Sequence, residues 1–168
     1  VYALGCLINK QKTLKRLADL KGLNLDKAQF AFFVKNFDLL SNYVRPIDNP
    51  TFKLLKRGLP GPYTFILPTL KLPKPFQKRK SIGIRISDHP ILNELLGLLT
   101  VPLITTSLHD TDKIIDYTTD PAVIFERWGK NIDLMMDDGF GGNIPSTVID
   151  LCKKEPVVIR KGKGSLNI

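Results

Sequence analysis

Hydrophobic and polar residues alternate without a break in the segment SIGIRIS, residues 81–87. Side chains of a strand point to opposite faces in turn, so this alternation predicts a strand with one apolar and one polar face. The polar face carries Arg85, and Gly83 beside it leaves the backbone uncovered. Two interpretations are open at this stage. Arg85 is either a solvated cation on an edge strand or a fixed cation on the floor of a pocket, where a ligand approaches the main chain at Gly83.

Five further segments have the residue pattern of helices, with apolar positions at helical spacing or clear start and stop signals. Gly22 is the expected stop of the first helix. Asn49 is the expected N-cap of the third helix, and Asp120 is the expected N-cap of the last, because each precedes a proline that suits the first helical position. The predicted helices span residues 10–21, 37–44, 49–58, 90–98 and 120–129.

Short apolar runs predict the remaining strands. Together with residues 81–87 they lie at 1–6, 30–34, 63–68, 102–108, 132–138, 146–151 and 156–162. Strands and helices mix along the chain, and the last three predicted strands follow one another with no helix between them. This order predicts the α/β class with a mixed, twisted sheet, and 168 residues suit a single domain.

The chain carries a net charge of +9, from 25 basic and 16 acidic residues. Basic residues concentrate in the stretches 71–90 and 153–163, whereas acidic residues dominate 110–138. Such a polarised distribution is typical of proteins that bind an anion such as a nucleotide or RNA. Lysines that only keep a protein soluble produce the same total, so charge by itself leaves both interpretations open.

Cysteine content and hydropathy narrow the expected setting. Cys6 and Cys152 match no metal-ligand spacing and are too few for a disulfide framework, which predicts a reducing, cytoplasmic setting without a disulfide-linked partner. No apolar run reaches the roughly 20 residues that a membrane span needs, so no membrane partner is expected.

The residue types argue against covalent catalysis, because the chain has two histidines, His89 and His109, and no nucleophile elbow. An enzyme of this composition is expected to bind and orient anions. Polar side chains suited to that task occur in or beside the predicted strands, namely Thr64, Arg85, Thr105, Thr106, Ser107, Ser146, Thr147 and Arg160. Threonine is also a common strand former, so spacing leaves open whether these side chains share one cleft.

Six segments occur in an order that resembles a known family. They are VYALGC (1–6), PGPYTFILP (60–68), KRKSIGIRISDHPI (78–91), ITTSL (104–108), PSTVID (145–150) and IRKG (159–162). Together they resemble the YrdC/YciO family, and its YciO branch in particular, over essentially residues 1–168. The resemblance implies a single YrdC-like α/β domain with a twisted mixed sheet and a basic concave face. It also implies that a family segment of the form Pro-Thr-Asp/Glu-Thr, which precedes VYALGC, is missing here.

The resemblance further implies an activity. Family members join L-threonine, bicarbonate and ATP into threonylcarbamoyl-AMP, release pyrophosphate, use Mg²⁺, and so supply a modified adenosine of tRNA. Binding of double-stranded RNA is also a family property. The chain is therefore expected to be a cytoplasmic nucleotidyltransferase of the L-threonylcarbamoyladenylate synthase type. Its expected partners are ATP, L-threonine, bicarbonate and RNA.

The family resemblance assigns roles to single positions. Arg85 matches the arginine that faces the threonine carboxylate, to which a guanidinium can bind in a bidentate fashion. The threonine side of the implied site comprises Tyr2, Thr64, Arg85 and Ser146. The nucleotide side comprises Lys21, Thr106, Ser107, His109 and Arg160. No covalent catalytic residue is implied, and the ligands of the metal ion are left unassigned.

Two positions depart from the family pattern. Leu23 occupies the arginine position of a Lys-x-Arg phosphate motif that begins at Lys21, and His109 occupies the asparagine position of a Ser-x-Asn motif that begins at Ser107. Both changes fall on the nucleotide side, so we expect weak turnover and preserved threonine binding. The alternative is a non-catalytic module that binds double-stranded RNA or a nucleotide in the same basic cleft.

Overall fold

The computed structural model describes residues 1–25, 28–108, 118–165 and 167, and its strands form one mixed sheet. The sheet has the strand order β1-β5-β2-β4-β3-β6-β7. Pairs β2–β4 and β3–β6 are parallel, and the other neighbouring pairs are antiparallel. The strands are β1 (Ala3–Leu7), β2 (Ala31–Phe33), β3 (Tyr63–Pro68), β4 (Ser81–Arg85), β5 (Leu103–Ser107), β6 (Thr147–Asp150) and β7 (Val157–Arg160). The predicted α/β class with a mixed sheet is confirmed.

Helices connect most of these strands. They are α1 (Gln11–Leu20), α2 (Phe37–Ser41), α3 (Asn49–Gly58), α4 (Pro90–Gly97) and α5 (Pro121–Trp128), with short 3-10 turns at Phe76–Lys78 and Gly129–Asn131. Gly22 follows α1 with a φ of +60°, a conformation that glycine adopts without strain. The predicted stop of the first helix is therefore confirmed. Asp120 caps α5 by accepting a hydrogen bond from the backbone N–H of Ala122, as predicted.

The period-two alternation divides the sheet into two faces. One face carries Phe32, Phe65, Ile84 and Ile104, all of them 0% exposed, and belongs to a continuous hydrophobic core that includes side chains of α1, α2, α3 and α5. The opposite face of the same strands carries the polar residues of β4 together with Thr105 and Ser107 of β5. Because β4 lies between β2 and β3, Arg85 is on an interior strand. The edge-strand interpretation of Arg85 is therefore wrong.

Gly83 lies against Thr64 on the polar face. It pairs with Ile66 of β3, and a Cβ atom built on it would lie 3.0 Å from Cγ2 of Thr64. A side chain at position 83 would thus press on Thr64 and shift it. The glycine keeps this part of the sheet face open.

Three predictions about local structure are wrong. Residues 132–138 form no strand, so only β6 and β7 follow one another without a helix in the described part of the chain. The helix predicted over 37–44 ends at Ser41. The N-cap of α3 is Asp48, whose carboxylate accepts a hydrogen bond from the backbone N–H of Thr51, because Asn49 already belongs to the helix.

Candidate functional site

A cavity of about 1090 Å³ lies against the polar face of the sheet. Its floor includes Gly5 of β1, Ala31 of β2, Thr64 of β3 and Gly83 of β4. The N-terminal half of α4 contributes to its wall, as does an irregular segment that we call the covering loop, residues 132–145. Residues 132–138, for which the sequence predicted a strand, are thus part of the cavity wall.

The cavity lining is basic. Among the described residues it has seven cationic side chains and three carboxylates. The cations are Lys10, Arg16, Arg79, Lys80, Arg85, Arg160 and Lys163, and the carboxylates are Asp88, Asp133 and Asp138. The predicted basic concave face is confirmed. Parts of the two basic stretches reach it, whereas Lys71, Lys74, Lys78, Lys153, Lys154 and Lys161 lie outside the lining.

Arg85 lies at the end of β4. Its guanidinium carbon lies 4.6 Å from the ring centre of Phe33, which is its register partner on β2. Its Nε is buried and has no hydrogen-bond partner. Burial lowers the pKa of Arg85 to about 10, and the nearby charge of Arg160 adds to the effect. The side chain remains cationic at neutral pH, and an anionic ligand would compensate its charge.

Thr64, Ser146 and Arg160 form a hydrogen-bond network on the same floor. The hydroxyl oxygens of Thr64 and Ser146 lie 2.8 Å apart, and both residues are buried. Arg160 donates through Nε and Nη2 to the backbone carbonyl of Ser146 at 3.1 and 2.9 Å, and through Nη2 to its Oγ at 3.3 Å. One of the two hydroxyls donates its proton to the other in this hydrogen bond. The accepting hydroxyl keeps its own proton, which it can donate to a ligand.

Tyr2 lines the cavity and holds the covering loop. Its hydroxyl donates to the backbone carbonyl of Gly139 at 2.7 Å and accepts from the backbone N–H of Asp138 at 3.2 Å. Burial raises the pKa of Tyr2, so the hydroxyl stays protonated at neutral pH. The predicted threonine-side residue is thus within the cavity, although its hydroxyl is already engaged by the protein.

His89 is a cavity residue to which the sequence assigned no role. It is the N-cap residue of α4, and its Nε2 lies 2.8 Å from Oδ2 of Asp138 in the covering loop. Both side chains are about half exposed and both line the cavity. Residues 89 and 138 are far apart in the sequence, so no local pattern could have paired them.

Only some of the predicted nucleotide-side residues line the cavity. Thr106 and Ser107 both border the cavity. Thr106 pairs with Leu4 on the core face, so alternation places Ser107 on the polar face of the sheet and Thr106 on the opposite face. Lys21 lies outside the cavity lining and donates to the backbone carbonyl of Leu108 at 3.3 Å. His109 lies outside the described residues.

Leu23 packs against the hydrophobic core as a partly buried side chain. Its backbone N–H bonds to the carbonyl of Ala18 at 2.8 Å, which closes the turn that follows α1. Leu23 is not among the residues that line the cavity. Leu23, for which the resemblance implies an arginine position, therefore has a packing role.

The cysteines, the grouping of possible metal ligands and the length of the helices bear on the cofactors and the setting expected from the sequence. Cys6 is buried and Cys152 is exposed, and both are free thiols. In the described part of the chain, no three His, Cys, Asp or Glu side chains are grouped as ligands for a metal ion. No helix within the described ranges is long and apolar enough to cross a membrane.

The mixed sheet and the basic cavity on its polar face, with Arg85, Arg160 and a hydroxyl pair, define an α/β domain with a cavity whose chemistry suits small anions. A family model described as "Telomere recombination", which represents Sua5, YciO and YrdC proteins, matches residues 1–162. The chain belongs to this Sua5/YciO/YrdC family. The family that the six segments resemble is therefore confirmed.

Two relatives differ in their similarity to this chain and in whether their names state an activity. YciO of Escherichia coli strain K12 is 38% identical over 169 residues, which cover 98% of this chain and 80% of YciO. The threonylcarbamoyl-AMP synthase of Buchnera aphidicola is 26% identical over 156 residues, which cover 90% of this chain and 87% of that enzyme. The name of YciO states no activity, so family membership leaves the reaction of this chain open.

Solved structures agree with this relationship. The crystal structure of E. coli YciO matches with a TM-score of 0.87 and 38% identity, over 99% of this chain and 81% of YciO. Sua5 of Pyrococcus abyssi, complexed with L-threonine, matches with a TM-score of 0.84 and 27% identity, over 96% of this chain and 48% of Sua5. The fold is thus shared with a family member that binds L-threonine.

Proposed function

We propose that the protein is a threonylcarbamoyl-AMP synthase-like enzyme, which converts L-threonine, bicarbonate and ATP into threonylcarbamoyl-AMP and pyrophosphate for the modification of a tRNA adenosine. The observation that carries the proposal is the placement of Arg85, Arg160 and the Thr64–Ser146 hydroxyl pair in one cavity. Such a set recognises a small ligand that has both a carboxylate and a hydroxyl group. L-Threonine, which is bound in the structure of P. abyssi Sua5, has this chemistry.

In the proposed complex, the Arg85 guanidinium binds the threonine carboxylate. The cation–π contact with Phe33 holds the guanidinium over the ring, which favours one position of this group before the ligand arrives. One hydroxyl of the Thr64–Ser146 pair donates to the other, and the accepting hydroxyl donates its own proton to the substrate. Arg160 acts by holding Ser146, which it contacts through two nitrogen atoms. Its positive charge also favours an anion in the same space.

The nucleotide is proposed to occupy the cavity toward β5, where Ser107 and the basic lining face it. Mg²⁺ usually keeps water and phosphate ligands and needs few protein carboxylates. Because the described residues provide no grouped metal ligands, we propose that Mg²⁺ arrives on the ATP phosphates. Bound there, it would offset the negative charge of the departing pyrophosphate.

The chemistry needs no protein nucleophile. The threonine amine and bicarbonate form a carbamate, and a carbamate oxygen attacks the α-phosphorus of ATP. The bond to pyrophosphate then breaks. The protein contributes by bringing three reactants together and by stabilising negative charge, and these two effects can lower the barrier of such a reaction without a covalent intermediate. The packing role of Leu23 leaves the nucleotide side without one family cation, and we therefore propose a slow turnover.

The test is the release of pyrophosphate from ATP with bicarbonate and each amino acid in turn. We expect release that depends on L-threonine and that falls in Ser146→Ala, because this variant removes half of the hydroxyl pair. The matched control is Ser41→Ala in α2, outside the cavity lining, which should retain the parent rate. Release that no amino acid stimulates would contradict the proposal.

A further inference from the structure

The imidazole of His89 is fixed in the cavity wall by contacts of its backbone and of its ring. Its backbone N–H donates to Oγ of Ser87 at 3.0 Å, and its carbonyl accepts from the backbone N–H of Asn93 at 2.9 Å. Nε2 lies 2.8 Å from Oδ2 of Asp138, and none of the described residues hydrogen-bonds to Nδ1. One ring nitrogen is therefore engaged, and the other is available.

The contact with Asp138 determines which nitrogen carries the proton in the neutral ring. An ionised carboxylate only accepts hydrogen bonds, so Nε2 must be the donor. Nδ1 then has a free lone pair. A carboxylate that holds one nitrogen of a histidine, with the other nitrogen unprotonated, is an arrangement that activates histidine as a base.

His89 lines the same cavity as the proposed carboxylate site. It lies four residues after Arg85, a chain segment that spans at most about 14 Å. The amine of an α-amino acid is attached to the carbon that bears the carboxylate. With the carboxylate held by Arg85, we place the amine on the side of His89.

We propose that Nδ1 of His89, held in place by Asp138, is the base that removes a proton from the substrate ammonium group, an inference that rests on the proposed function. The proton moves to Nδ1, and the amine lone pair attacks the carbon of bicarbonate to form the new C–N bond. Hydroxide leaves that carbon and takes a second amine proton, so that water is released. The imidazolium returns its proton to solvent, and no oxidation or reduction occurs.

Comparison of the parent with a His89 variant separates His89 from its neighbours in the pH profile. The other titratable groups that line this cavity include the Val1 amino group, Tyr2, Arg85, Asp88, Asp138, Arg160 and Lys163, and Asp137 is beside them in the covering loop. Burial lowers the pKa of the Val1 amino group, to which the charges of Arg85 and Lys163 add, and burial leaves the pKa of Arg85 at about 10. A loss of rate on acidification that disappears when His89 is replaced is therefore the expected signature of a histidine base.

The first experiment compares the pH profile of threonine-dependent pyrophosphate release in the parent and in His89→Gln. The glutamine amide can still donate to Asp138 but cannot take a proton. We expect a rate about 10²-fold lower at pH 7, loss of the acidic limb of the pH profile, and an unchanged affinity for L-threonine. Glu94→Gln, on the same helix but outside the cavity lining, is the control and should retain the parent profile. A parent-like profile in His89→Gln would overturn the role of His89 and leave the proposed function standing.

A second experiment does not require the adenylyl-transfer step. Carbamate formation from ¹³C-bicarbonate and L-threonine is followed by NMR without ATP, and the ring tautomer of His89 is determined from its ¹⁵N shifts. We expect carbamate to form faster with the parent at pH 7 than with His89→Gln, and a proton on Nε2. If the parent accelerates carbamate formation but releases no pyrophosphate, the base assignment holds and the proposed function fails. Equal rates with the two proteins, or a proton on Nδ1 of neutral His89, would overturn the base assignment.

Discussion

Among the single residues, Arg85 combines a buried charge with an incomplete set of hydrogen bonds. Burial and the charge of Arg160 lower its pKa, and Asp88 opposes the shift only in part. The free protein thus bears an unfavourable desolvation energy that a carboxylate ligand would offset. This is the physical reason for which we place the substrate carboxylate at Arg85.

Replacement of Arg85 by lysine keeps the positive charge but removes the planar pair of N–H donors. We expect Arg85→Lys to weaken L-threonine binding by about tenfold or more, because an ammonium cannot reproduce bidentate contact or stacking on Phe33. Titration calorimetry measures the change. Arg57→Lys, at an exposed position on α3, is the matched control and should bind as the parent does. Equal affinity for L-threonine in both variants would show that Arg85 does not bind the substrate carboxylate.

Among the helices and strands, the sequence was informative wherever an element has a buried face. The alternation in β4 was predicted correctly because Ile82, Ile84 and Ile86 are all buried on the core face. Residues 132–138 contain a similar share of apolar residues, but Leu134 is 75% exposed and borders the cavity. An apolar run beside a ligand cavity has the same composition as a buried strand, and composition alone could not distinguish the two.

The cap of α3 provides a test of an element boundary. Hydrogen bonds from Thr51 lower the pKa of Asp48, so the ionised carboxylate stabilises the folded state at pH values above its unfolded pKa near 4. This contribution is lost as the pH falls through the lower, folded-state pKa. We expect Asp48→Ala to lower the thermal unfolding midpoint at pH 7, with a difference from the parent that shrinks below pH 4. Asn49→Ala should leave the midpoint nearly unchanged. A larger loss in Asn49→Ala than in Asp48→Ala would show that Asn49 is the N-cap.

In the molecule as a whole, the candidate site depends on contacts that no local pattern contains. The ordered segments indicated Thr64, Arg85, Ser146 and Arg160, and the fold brings all four to one cavity. The closure of that cavity could not be predicted, because it depends on pairs such as Tyr2 with Gly139, which are 137 residues apart. The sheet register, rather than any motif, determines which of the neighbouring hydroxyls of β5 face the cavity.

The net charge of +9 leads to a separate prediction about RNA. If cavity cations such as Lys80 and Lys163 bind phosphates, affinity for double-stranded RNA should fall steeply between about 50 and 200 mM salt, because bound counterions are released on association. Filter binding over a salt series measures the slope. A flat response, or no binding, would leave the charge as a contribution to solubility.

The proposed synthesis of threonylcarbamoyl-AMP in this cavity can be observed by mass spectrometry of the nucleotide product. The protein is incubated with ATP, Mg²⁺, L-threonine and either ordinary or ¹³C-labelled bicarbonate. We expect a threonylcarbamoyl-AMP ion that gains a single mass unit with the labelled bicarbonate and that is strongly reduced in Arg85→Lys. Unchanged ATP, or AMP without an attached threonylcarbamoyl group, would contradict the proposed function.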